Sequence, residues 1–335
     1  MPPQGGADEE AADPDRVRHS AGSQAAARPF GTLRPHGADG HEGETAWPHA
    51  TPVLLVHGNF SNRGFWVSPK GIGLAPFLAE RGYDAWIVEL RGHGLSPKGP
   101  HFRSITAEDH IRGDLPAAVA HIHEETGKRP FLVGHSAGGI FIASFLAAAQ
   151  AGEDVIPRPP PGQAAAFLPA ADLFLGIALF GAQMAGGEQY LKLPPLAFLS
   201  ATLLRVLGRL PAVRLGLGPE DEPAAEMLEF IRWKKRGGRW ADSSGLSYQS
   251  ALQNVRIPLI ALAGARDRND PAWGCVKLME AFGGSDRRFV LLSRRDGFST
   301  DYDHIGMIVS KEAAREVWPL LADWMDQKRP CRDDT

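Results

Sequence analysis

The chain has 335 residues, 43% apolar and 22% charged, a balance that suits one large globular core and favours a single domain with an insertion over two equal domains. A formal net charge of −3 leaves no basic excess for phosphate contacts, which excludes nucleic acid from the expected partners. Its two cysteines, Cys275 and Cys331, belong to no C-x-x-C pair or Cys/His cluster, so neither a disulfide scaffold nor a structural zinc site is expected.

Residues 1 to about 50 are rich in Ala, Gly, Pro, Asp, Glu and His and poor in large apolar side chains, the composition of a disordered extension. His19, His36, His41 and His49 within it match no metal-ligand spacing. The first ten residues lack the basic and apolar regions of a signal peptide, and a cytoplasmic protein is expected. From Pro52 short apolar runs alternate with helical segments. Val53 to Val56 reads as a buried strand, Phe77 to Arg81 as the close of a helix stopped by Gly82, and Ala85 to Leu90 as a second strand.

The spacing of Ile111, Leu115, Ala118, Val119 and Ile122 predicts a helix over 107–126, ended by Gly127. A strand at Phe131 to Val133, a helix at Gly139 to Ala149, and strands at Leu173 to Leu179, Pro258 to Ala263 and Phe289 to Leu292 follow. A helix over 306–327 and a tail over 328–335 close the chain. The alternation predicts an α/β fold with a mostly parallel central sheet and helices on both faces, spanning 51–327. Between Gly181 and about Asn254 the alternation is lost, and a helical lid over the sheet's carboxyl edge is expected there. The apolar stretches 164–185 and 191–217 are broken by Pro169 and Asp172 in the first and by Pro194, Pro195, Arg205, Arg209 and Arg214 in the second. Neither is expected to span a membrane.

Gly134-His135-Ser136-Ala137-Gly138 matches G-x-S-x-G, placed between an expected strand and an expected helix. That context suits a serine exposed on a strained turn, with glycines where side chains would collide. A serine hydroxyl needs a base within hydrogen-bond reach and an acid that orients the base. Asp267 follows one strand end and His304 follows the next, in the order Ser, Asp, His; Asp270 is a rival to Asp267 as the acid. Backbone N–H groups of Ala137 and of Asn59, after His57-Gly58, are the candidate oxyanion donors. His57 and His135 read as structural neighbours of the site.

These segments together resemble the α/β-hydrolase superfamily over roughly residues 52–327. The residues that carry the resemblance are Leu55-Val56-His57-Gly58, Gly82 to Trp86, Arg91 to Ser96, the serine pentapeptide, Gly264 to Asp267 and Asp303-His304. The stretch from Asn59 to Trp86 is similar to the acid-lipase branch and, more loosely, to polyhydroxyalkanoate synthases, which carry cysteine where Ser136 stands. Haloalkane dehalogenases and epoxide hydrolases of the same fold carry aspartate there. The resemblance implies an esterase or lipase reaction that needs no cofactor and no metal.

The lid segment supplies Phe180, Met184, Tyr190, Leu191, Leu196, Phe198, Leu199, Leu203, Leu204, Met227, Leu228, Phe230, Ile231 and Trp233, suited either to enclosing an acyl chain or to packing the lid on the body. The basic run from Arg232 to Arg239 reads as a solvated face. The first expected function is hydrolysis of a small-molecule carboxylic ester with an apolar acyl group. Thioester hydrolysis or acyl transfer by the same residues is the second, and a non-catalytic ligand-binding protein on this fold is the third.

Overall fold

The six apolar runs pair with one another and, with a strand from the polar N-terminal segment, form a seven-stranded sheet. The computed structural model describes residues 30–33, 50–152, 173–185, 194–235 and 240–329. The strands are β1 (Phe30–Leu33), β2 (Thr51–Val56), β3 (Tyr83–Val88), β4 (Phe131–His135), β5 (Gly176–Phe180), a two-residue pair β6 (Arg209–Leu210) and β7 (Glu222–Pro223), then β8 (Leu259–Gly264) and β9 (Arg287–Leu292). The main sheet has the order β1-β3-β2-β4-β5-β8-β9. Six of its strands run parallel; β1 pairs antiparallel with β3, Phe30 opposite Val88. Phe30–Leu33 lie inside the segment expected to carry no fixed structure, and the four histidines of that segment lie outside the described residues.

The helices are α1 (Leu74–Glu80), α2 (Ala107–Asp109), α3 (Leu115–Thr126), α4 (Ala137–Gln150), α5 (Pro194–Leu207), α6 (Ala224–Lys235), α7 (Tyr248–Ala251), α8 (Ala272–Ala281), α9 (Gly306–Val309) and α10 (Lys311–Asp326). Successive strand residues face opposite sides, as the pleat requires. Leu54 and Val56 of β2 join the core under α3 and α4, whereas Val53 and Leu55 join the core under α1 and α10. Strands buried on both faces need no polar alternation, which is why the sequence shows continuous apolar runs.

The helix expected over 107–126 is one rod with a flaw: a π turn at His110–Asp114 separates α2 from α3. Thr106 caps its start, accepting from Asp109 N–H at 3.2 Å, and left-handed Gly127 ends it. The closing helix is split, because Ser310 caps a new start by accepting from Ala313 N–H at 3.0 Å. Between β5 and β8, α5 and α6 pack on each other through Ala197, Leu204, Ala224, Met227 and Ile231, joined by Phe60 from the body.

Candidate active site

Ser136 stands where β4 turns into α4, with φ 54° and ψ −124°. A non-glycine residue enters that region at a cost of order 1–3 kcal/mol, so the surroundings must hold it there. The Ser136 N–H donates to the Phe180 carbonyl of β5 at 2.8 Å. The flanking glycines are required by close approach: a Cβ on Gly138 would lie 2.4 Å from the Val56 carbonyl oxygen, and one on Gly134 would lie 2.7 Å from the Gly139 Cα.

Asp267 follows β8 and His304 follows β9, and the two side chains meet: His304 Nδ1 lies 2.7 Å from Asp267 Oδ2. Asp267 Oδ1 accepts the N–H groups of Asn269 at 3.0 Å and Asp270 at 2.8 Å, so the fully buried carboxylate is satisfied and fixed. Asp270 lies on the other edge of the imidazole, its Oδ2 3.6 Å from His304 Nε2. That oxygen accepts the Ser136 hydroxyl at 3.3 Å, and Asp270 Oδ1 accepts from Gln183 Nε2 at 2.6 Å. The two rival carboxylates thus occupy opposite edges of one ring. His135 Nε2 donates to the His304 carbonyl at 2.8 Å and its ring lies 4.5 Å from the His304 ring, bracing the loop.

Burial disfavours a charged His304, but the Asp267 hydrogen bond and the charge of Asp270 outweigh it and lift its pKa above the ordinary histidine value. Burial, helped by the Asp267 charge, pushes the Asp270 carboxyl up to about 6. Burial holds His57 down at about 3, so it is neutral; its Nδ1 lies 2.9 Å from the Gly58 carbonyl and its Nε2 accepts the Leu90 N–H at 3.3 Å. A ring with both nitrogens engaged in the backbone is a brace for the loop after β2.

That loop reaches the serine. A Cβ on Gly58 would lie 2.8 Å from Ser136 Cβ, which only glycine avoids. None of the hydrogen bonds among the described residues uses the N–H of Asn59 or of Ala137. The next residue, Phe60, has φ 64°; its N–H donates to Glu222 Oε1 and its carbonyl accepts from Glu220 N–H at 3.3 Å. No cluster of three or more potential metal ligands occurs among the described residues, and no described helix is long and apolar enough to cross a membrane. A cleft of about 390 Å³ is lined by Pro100, His101, Arg103 and Ser104 and by residues of α5 and α6, and not by Ser136.

A family model described as the alpha/beta hydrolase family matches residues 53–329. The chain belongs to the alpha/beta hydrolase family. Human lipase member K is 38% identical to it over 113 residues, 31% of this chain and 28% of that protein. The tear acid lipase-like protein of Mesocricetus auratus is 37% identical over 97 residues, 26% of this chain and 24% of that protein. The match thus spans about a quarter of each relative's length. A soluble variant of monoglyceride lipase from Saccharomyces cerevisiae, solved with a substrate analog, superposes with a TM-score of 0.58 at 17% identity over 90% of this chain and 92% of that one. At that identity the likeness is one of fold.

This alpha/beta hydrolase carries groups near the site that sequence reasoning passed over. His93 Nε2 lies 3.1 Å from Glu222 Oε2, and His110 contacts Asp114 at 2.8 Å and Glu226 at 3.2 Å, all five side chains being buried. The available signal was a run of closely spaced glutamates, Glu220, Glu222, Glu226 and Glu229, in the segment between β5 and β8. Among the apolar lid candidates, Phe180 belongs to β5, Met184 and Trp233 belong to the main core, and Leu196, Phe198, Leu199 and Leu203 are exposed. Leu204, Met227, Leu228, Phe230 and Ile231 pack the lid cluster; Tyr190, Leu191 and residues 236–239 lie outside the described residues.

Proposed function

We propose that the protein is a serine hydrolase that cleaves carboxylic esters with an apolar acyl group through an acyl-enzyme. The observation that carries the reading is the 2.7 Å contact between His304 Nδ1 and Asp267 Oδ2 beside a serine on a strained strand-to-helix turn. A carboxylate on Nδ1 fixes the tautomer whose Nε2 is free to accept a proton. Ser136, its hydroxyl turned from Asp270 towards His304, attacks the ester carbonyl while His304 Nε2 takes the proton; the imidazolium then protonates the leaving alcohol. The N–H groups of Asn59 and Ala137 receive the developing oxyanion, a contribution whose removal typically costs roughly 100- to 1000-fold. The apolar lid cluster supports an apolar acyl group. Similarity to lipase member K and to a tear acid lipase-like protein supports the reaction class. A cytoplasmic setting belongs to the same reading, supported by cysteine usage.

Labelling with a fluorophosphonate probe tests it. Wild type is expected to label and Ser136→Ala to remain unlabelled and inactive on p-nitrophenyl esters, with rates in a chain-length series rising beyond acetate. An unlabelled wild type overturns the enzyme reading.

A further inference from the structure

The three proposed roles leave Asp270 without a task, although Ser136 Oγ at 3.3 Å and His304 Nε2 at 3.6 Å converge on its Oδ2. The carboxylate is held in place. Gln183, itself buried, donates to Oδ1 at 2.6 Å, and the Asp270 N–H is tied to Asp267 Oδ1 at 2.8 Å. The side chains of Asp270 and His304 each keep 13% exposure, so water has access to this corner.

A largely buried carboxylate oxygen without a donor is costly, and before reaction the Ser136 hydroxyl is that donor. Acylation takes it away, because the serine proton leaves through His304 and the Oγ of the new ester carries no hydrogen. Asp270 Oδ2 is then short of a donor beside the imidazole that must next take a proton from water. At 3.6 Å the two atoms are close enough for one water oxygen to reach both.

We propose that Asp270 is a further catalytic residue, which holds the water that attacks the acyl-enzyme. The inference rests on the acyl-enzyme reading above. One water O–H donates to Asp270 Oδ2 and stays bonded to its oxygen; the other proton passes to His304 Nε2 as the water oxygen bonds to the acyl carbon. The tetrahedral adduct then collapses: the Oγ–acyl bond breaks, and the imidazolium returns its proton to Ser136 Oγ. The carboxylic acid leaves, the serine hydroxyl again supplies the donor, and water is the only co-reactant. Asp270 is neither protonated nor consumed.

Acylation does not use this water seat, so the two half-reactions separate. Asp270→Val keeps the branched shape and removes the acceptor; Asp270→Asn keeps size and polarity and serves where the valine variant fails to fold. On rapid mixing with p-nitrophenyl butyrate, each variant is expected to give a one-equivalent burst of p-nitrophenol at a rate within about threefold of wild type. Turnover then slows roughly 10- to 100-fold, more for valine, and the butyryl adduct of Ser136 accumulates in intact-mass spectra. Burst and turnover falling by the same factor, or unchanged turnover with no adduct, overturns the role of Asp270. Failure of the underlying reading has a different signature: turnover that survives Ser136→Ala, or no adduct on Ser136 in any variant.

Discussion

In the proposed mechanism His304 sets the pH at which Ser136 is activated, and two carboxylates govern the protonation of His304. A base must be neutral, and the Asp267 hydrogen bond and Asp270 charge favour the imidazolium over burial, raising its pKa above 6.5. The kcat/KM of wild type is therefore expected to rise with pH through a midpoint above 6.5 and to be lost on acidification below it. Asp267→Asn removes the larger favourable contribution, so its midpoint moves down and its plateau falls by roughly 10,000-fold. Paired pH–rate profiles check this; an unmoved midpoint with an intact plateau shifts the orienting role to Asp270. The serine was legible in the sequence because a strained turn with flanking glycines leaves a local signature. Asp267 and Asp270 were not separable there: they lie three residues apart in one loop, and which edge of the imidazole each faces is set by tertiary packing.

Elements were legible where local pattern and burial agree, as in β2, β3, β4 and β8. The discrepancies have local causes. The strand expected from Leu173 begins at Gly176, where pairing with β4 starts, and the last helix breaks at Ser310, whose hydroxyl competes as a cap. β1 is four residues long in a polar stretch, and only its pairing to β3 marks it. The loop that carries the proposed oxyanion donor is tied to an element 162 residues away, through the Phe60 N–H and Glu222 at β7. Phe60 follows the proposed oxyanion donor Asn59, and a residue at φ 64° keeps that backbone only while its neighbours hold it. Glu222→Ala is expected to lower kcat about 10- to 100-fold with little change in KM, because a misaligned donor weakens binding of the transition state and not of the ground state. Glu226→Gln alters the same buried group without touching the loop and is expected to retain kcat. Steady-state kinetics of the pair decide it; equal losses in both would reduce Glu222 to a structural anchor.

Across the whole molecule, the parallel sheet was legible because strands covered on both faces advertise themselves as apolar runs. The ionic seam between lid and body was not, since histidines and glutamates more than a hundred residues apart carry no period. His110, on the π turn of the body, lies between Asp114 and Glu226 of α6, and His93 reaches Glu222 in the same way. Burial alone would discharge His110, but Glu226 and Asp114 outweigh it and raise its pKa to about 10. A histidine whose folded pKa lies above its unfolded value of 6.5 stabilises the fold fully below pH 6.5 and loses that contribution as pH rises through about 10. The melting temperature of wild type is thus expected to decline between pH 7 and pH 10, as the imidazolium that joins body to lid is discharged. His110→Gln leaves two carboxylates facing a neutral amide, and breaking a buried ion pair in this way costs about 3–5 kcal/mol. The variant is expected to melt lower at pH 7 and to show a flatter pH dependence, since the titrating group is gone. Thermal denaturation across that range measures both, and parallel curves for wild type and variant would show that the seam is held by shape and not by the charge on His110.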